Sequence, residues 1–149
     1  MPEETVLPFY RLLYRSKITL NMSHDELNRQ IDDIVASSCT ANADVGLTGA
    51  LIAFEGMFIQ VLEGSLAPLE RTFERICCDL RHRHVQLVDL AAAEQRLFAD
   101  WNMVRVDHDG GLARLYDMLG KSELPHLDVA KASSLISLML SVLPPSRAH

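Results

Sequence analysis

Cysteine is scarce in this chain of 149 residues, and the three present, Cys39, Cys77 and Cys78, make an odd count with two adjacent. That pattern suits neither a disulfide framework nor a structural zinc site, so a reducing cytoplasm is the expected location. Positive charge is short as well: 14 Lys and Arg against 20 Asp and Glu leave a net charge of −6, with no basic stripe. Nucleic acid is therefore not an expected partner, because affinity for its backbone depends on cations that neutralise phosphates. The opening residues, MPEETVLP, lack a basic segment followed by an apolar one, so no secretion signal is expected. No apolar run approaches the ~20 residues that cross a bilayer, and no membrane association is expected. A Gly-rich phosphate loop and a Gly-x-Ser-x-Gly elbow are also missing, and with them two common nucleotide and hydrolase signatures.

What is present is a globular composition, 48% hydrophobic and 23% charged, in a length that suits one domain with a modest extension. Its most regular stretch is Gly46 to Gly64, GLTGALIAFEGMFIQVLEG. Two strands are expected there, Ala50 to Phe54 and Met57 to Leu62, joined by Glu55-Gly56, which resembles the Asp-Gly pair of two-residue hairpins. That turn sets Phe54 opposite Met57, Ala53 opposite Phe58, Ile52 opposite Ile59 and Leu51 opposite Gln60. Alternation then puts Gln60 on one face with Phe58, Leu62, Leu51 and Ala53. An amide withdrawn from water without partners costs about 1–3 kcal/mol, so Gln60 needs a partner on that apolar face.

Taken in order, Phe9 to Arg15 reads as a first strand with Tyr10, Leu12 and Tyr14 on one side. Ser23 and Glu26 have capping-box spacing, and Leu27, Ile31, Ile34 and Val35 mark the buried stripe of the helix that follows. The small polar run Ser37 to Asp44 is expected to end that helix and carry Asn42 into a loop. After the hairpin, Pro68 suits the first turn of a second helix with Leu69, Phe73, Ile76, Cys77 and Leu80 on its apolar side. Arg81-His82-Arg83-His84 is expected at its C-terminus, where cations are favourable. Strands over Val85 to Leu90 and Trp101 to Val106 complete a β-α-β-β-α-β order plus one, an α+β ferredoxin-like sandwich with an added fifth strand. Both helices are expected on one sheet face, with Gln60 pointing towards them. Beyond the break at Asp107 to Gly111, two C-terminal helices are expected, one over Leu112 to Leu119 and one from Asp128 to Leu143. The second carries enough apolar surface for docking or oligomerisation.

Several chemistries compete. His82 and His84 flanked by arginines make poor metal ligands, so no metal is expected. The three cysteines fit the role of small apolar residues. Tyr14, Gln60 and Asn42 together are more informative, since a phenol and two amides meeting beneath a helix pair can bind a flat polar heterocycle by its edge while Ile34 and Ile76 enclose its faces.

Five ordered blocks, LLYRS at 12–16, ANADVGLTGAL at 41–51, FIQVLEG at 58–64, ICCDLRHRHV at 76–85 and FADWNMVRV at 98–106, resemble the BLUF domain, the flavin-dependent blue-light sensor. The resemblance covers roughly residues 8 to 106. It implies a photoreceptor rather than an enzyme, binding FAD or FMN. Tyr14 is then the light-oxidised tyrosine, and Gln60 the glutamine whose hydrogen bonds to the flavin rearrange. Asn42 would lie at the ring's polar edge, Ile34, Phe58 and Ile76 around the ring, and Arg81 and His82 near its polar side. Trp101 and Met103, two apart on the fifth strand and so expected on one face, would carry output. Ala41 departs from members with histidine there.

The resulting organisation is a flavin-binding domain over 1–106 and a helical output extension over 107–149, signalling to a separate effector protein or through a homo-oligomer. The alternative is a ferredoxin-like small-ligand regulator or an acyl or phosphate hydrolase that binds an anion at Arg81-His82. A third is a dimerisation module whose polar trio is structural.

Overall fold

In the computed structural model, which describes residues 9–18, 23–54, 57–79, 82–106, 129–141 and 143, the hairpin has the expected register. Strands β2 (Thr48–Phe54) and β3 (Met57–Gly64) pair with Phe54 opposite Met57 and Leu51 opposite Gln60, and the same ladder continues to Thr48 opposite Glu63. Gly49 lies within it because a Cβ there would stand 2.1 Å from the Val61 carbonyl oxygen. Strand β1 (Phe9–Ile18) runs antiparallel along the other side of β3, with Tyr14 opposite Gln60.

Helix α1 (His24–Val45) starts at the expected capping box: the Glu26 amide donates to Ser23 Oγ at 3.2 Å and the Ser23 amide to Glu26 Oε1 at 3.3 Å. It does not stop in the small polar run. Ser37 Oγ donates to Asp33 O and Thr40 Oγ1 to Ala36 O, so hydroxyls that compete with helix elsewhere are satisfied inside it. The stop comes at Gly46, whose φ of +75° is the left-handed conformation that glycine adopts without strain. Asn42 therefore lies in the last helical turn and not in a loop.

Helix α2 (Leu66–Cys77) has Pro68 in its first turn, as expected, but ends four residues before Arg81. Cys77 is exposed and takes no part in the apolar stripe. His82, Arg83 and His84 instead open β4 (His82–Ala93), with Ile18 opposite His82 and Lys17 opposite Arg83. Ladder bonds to the ten-residue β1 outweigh a preference of cations for a helix end that is worth only about 0.3–1 kcal/mol. His84, at φ +52°, sits beside the register shift between Arg15 and Lys17. Leu80 and Arg81 lie outside the described residues, and of His82 only the backbone is described.

The sheet order is β4-β1-β3-β2-β5, antiparallel except for the short β5 (Val104–Arg105) beside β2. This is the ferredoxin-like order with a fifth strand. The expected strand from Trp101 shrinks to two residues, since Trp101, Asn102 and Met103 bond β2 and α1 irregularly. Leu12, Tyr14, Leu51, Phe58 and Leu62 form a core with Ile31, Ile34 and Leu69 of α1 and α2. Leu13, Ala50, Ile52, Ile59 and Val61 form a second core on the opposite face.

That second core is closed by α3 (Val129–Ser141), whose Ala132, Leu135 and Met139 share one stripe. The apolar surface expected to serve docking or assembly is thus largely spent on the chain's own sheet. The helix expected over Leu112 to Leu119 lies outside the described residues. Leu135 is fully buried, and Leu135→Ala is expected to lower unfolding stability by about 2–5 kcal/mol in denaturant titration. An unchanged midpoint would show that α3 does not dock there.

Candidate functional site

Three strands and one helix end converge on Gln60. Its direct neighbours across the ladders are Tyr14 in β1 and Leu51 in β2. Gln60 is 4% exposed and Tyr14 fully buried, and the Tyr14 hydroxyl donates to Gln60 Oε1. The purpose-made partner that the apolar surroundings demand is therefore the phenol. Burial, together with the nearby Asp79 carboxylate, holds the phenol far above its ordinary pKa. At neutral pH Tyr14 is a neutral donor. Its ring packs at 5.5 Å, tilted, on Phe73 of α2.

With Oε1 taken by Tyr14, the amide nitrogen of Gln60 faces the other way and donates to Met103 Sδ at 3.6 Å. Met103 is held from both sides, since Cys39 Sγ donates to its carbonyl at 3.1 Å. Asn42 Nδ2 donates to Asn102 O at 2.8 Å, and Asn102 Nδ2 donates to Leu47 O at 2.9 Å. The end of α1 and the segment before β5 are thereby tied together beside the Gln60 amide.

Of the expected site residues, Tyr14, Gln60, Ile34 and Phe58 come together in one buried cluster, with Ile76 half-buried against it. Asn42, 2% exposed, reaches the same region through Asn102. Arg81 and the His82 side chain lie outside the described residues. Trp101 and Met103 do not share a face: Met103 belongs to the Tyr14 core, whereas Trp101 packs against the core beneath α3. Strand alternation fails there because neither residue is in a strand. Gly49 N donates to Trp101 O at 3.0 Å, so the segment crosses the sheet edge between them.

One buried residue was missed from the sequence. Glu63, three positions beyond Gln60 and on the opposite sheet face, is 1% exposed. Its Oε2 accepts from Arg11 Nε at 2.9 Å and the Leu97 amide at 2.7 Å, and its Oε1 from Thr48 Oγ1 at 3.1 Å and the Phe98 amide at 2.9 Å. Removing one partner of such a buried charge costs about 3–5 kcal/mol, so this carboxylate fixes the loop after β4 firmly. Continuing the hairpin register by three more pairs places Thr48 opposite Glu63 and supplies the missing signal.

Sequence and structure comparisons agree with this architecture. The family model described as BLUF, sensors of blue-light using FAD, matches residues 9–104, well over half of the chain. The photoactivated adenylate cyclase subunit beta of Euglena gracilis is 30% identical over 94 residues, 62% of this chain and 11% of that protein. The chain thus spans about a tenth of the length of that relative. A dark-state structure of the BLUF protein BlrB matches with a TM-score of 0.75 at 26% identity, covering 91% of this chain and 98% of that one. A structure of BlrP1 from Klebsiella pneumoniae with FMN and cyclic diGMP matches with a TM-score of 0.64 at 26% identity, covering 89% and 34%. With the matched segment running from β1 through the Tyr14–Gln60 pair to the start of β5, the chain belongs to the BLUF family of blue-light sensors.

Proposed function

We propose that this chain binds a flavin, FAD or FMN, against Gln60 and Asn42, and that light acts on the Tyr14–Gln60 hydrogen bond. The observation that carries this reading is the orientation of the Gln60 amide, which is buried between a phenol donor and a thioether. Sulfur is a weak acceptor, so the amide nitrogen has donor capacity for a better one, such as the edge of a flavin ring. Ile34, Phe58 and Ile76 supply apolar surface for the ring faces, and Asn42 a second amide at the helix end. Arg81 and His82 are assigned to the polar side by resemblance. A bound flavin supplies the blue-light absorption and the electron-accepting chemistry.

Tyr14 is the electron and proton donor in this reading. Its O–H already points at Gln60 Oε1, so a proton leaving the phenol has an acceptor in place. Gln60 is the switch, by rotation or tautomerisation of its amide. Rotation by half a turn would aim Oε1 at Met103 Sδ, setting two acceptors against each other where a donor and an acceptor now meet. Met103 then has reason to move, and the backbone that joins it to Trp101 carries the change to the α3 side of the sheet.

The chain is proposed to be a non-catalytic cytoplasmic receptor over residues 1–106, with 107–149 as output extension, acting on a separate effector protein. Among the described residues no helix is long and apolar enough to cross a membrane. Self-association is the proposed assembly, supported by Leu87 at 49% and Leu90 at 38% exposure on the edge strand β4. The anion-site alternative loses its helix end, which lies at Cys77.

Purified protein reconstituted with FAD is expected to be yellow and to show a reversible red shift of the flavin band in blue light. Colourless protein after reconstitution would defeat this reading. Met103→Ala is expected to keep that red shift while removing the light-minus-dark hydrogen-exchange difference across residues 129–141. A wild-type-sized difference in the variant would exclude Met103 as the relay.

A further inference from the structure

We propose that Glu63 is a positioning residue for signal output, the fixed end of a strap whose movable end is Met103. The proposal rests on the Tyr14–Gln60 switch described above and adds a second anchor to it. The strap is the backbone from Leu97 to Met103. At one end the Leu97 and Phe98 amides donate to the Glu63 carboxylate at 2.7 and 2.9 Å. In the middle the Trp101 amide donates to Phe98 O at 3.1 Å, and Trp101 O accepts from Gly49 N at 3.0 Å. At the other end Met103 Sδ accepts from Gln60.

Both anchors are side chains of β3, three residues apart and on opposite faces of the sheet. They differ in what can change them. Gln60 exchanges a donor for an acceptor when its amide turns, whereas the Glu63 carboxylate is accepting-only and meets donors on both oxygens, so no rotation alters its bonds. A shift imposed at Met103 therefore cannot be spread along the loop after β4. It is confined to residues 99–103, and Trp101 must change its packing beneath α3. A loop released at Leu97 and Phe98 would keep its ties at Trp101 and Asn102. It would let part of the shift pass upstream, so Trp101 would repack less.

The test uses the full chain loaded with FAD. Glu63→Gln keeps the volume but turns one acceptor oxygen into an NH2 that faces two donors, releasing the strap. Trp101 is the only tryptophan, so tryptophan fluorescence reports its surroundings alone. The variant is expected to keep the wild-type flavin red shift and to lose about threefold or more of the light-induced fluorescence change. A variant that keeps both in full overturns the proposal. Absence of the red shift in both proteins overturns the Tyr14–Gln60 reading, and this proposal with it.

Wild-type hydrogen exchange at single-amide resolution decides the matter even if the variant does not fold. The Leu97 and Phe98 amides should exchange equally in dark and light, while the Gly49 amide, bonded to Trp101 O, should exchange faster in light. Equal light effects at Phe98 and Gly49, or none at Gly49, would show that Glu63 fixes nothing relevant to output.

Discussion

Gln60→Leu is expected to bind flavin and show no light-induced red shift at all. The leucine side chain joins Phe58 and Leu62 on a face that is already apolar, so the fold should accept it. What disappears is the amide that accepts from Tyr14 and donates to Met103. Loss of the Tyr14–Gln60 hydrogen bond costs about 0.5–1.5 kcal/mol, part of which the added apolar contact offsets. The readout is the difference spectrum under blue light, with thermal unfolding as a control for the fold. A normal red shift in Gln60→Leu would show that another group makes the switching hydrogen bond.

Tyr14→Phe is the second large effect. The aromatic ring keeps its 5.5 Å packing on Phe73 and only the hydroxyl leaves, so flavin binding should survive while photocycling fails. Gln60 Oε1 then lacks its donor, and stability should fall by about 1–3 kcal/mol. Transient absorption is the decisive measurement. An unchanged signalling state in this variant would require a different electron donor. Trp101 is the alternative the chain offers, but it packs on the α3 side of the sheet, away from the core that holds Tyr14 and Gln60.

Much of this site is legible in the sequence, for a reason visible in the hairpin. A two-residue turn fixes every opposed pair by simple counting, and the alternation of β3 then assigns Gln60 to its face. Tyr14 followed from the same logic applied to the neighbouring strand. The failures share a cause too. Spacing two apart in a strand predicts a common face for Trp101 and Met103, yet the strand begins only at Val104. The small, polar run Ser37 to Asp44 predicts a loop at Asn42, but the hydroxyls of Ser37 and Thr40 bond back to their own helix.

Glu63 is instructive in a different way. A carboxylate in an apolar strand raises the same question as an amide there, and its ladder neighbours Arg11 and Thr48 answer half of it. The other half comes from the Leu97 and Phe98 amides, 34 and 35 residues away. No local pattern announces them.

By itself, the sequence determined what nearest neighbours along the chain decide: the capping box of α1, the stripes facing the sheet, the hairpin register and the face on which Gln60 sits. Each depends on a period or a turn rule acting over a few residues, so composition and spacing suffice. Tertiary structure alone decided where α2 gives way to β4, which face of the sheet α3 covers, and that Met103 and Trp101 lie on opposite sides of it. These depend on competition between distant partners. The ten residues of β1 recruit His82 into a ladder, and an open apolar sheet face recruits α3, at an energy that local preferences of a few tenths to one kcal/mol cannot outweigh.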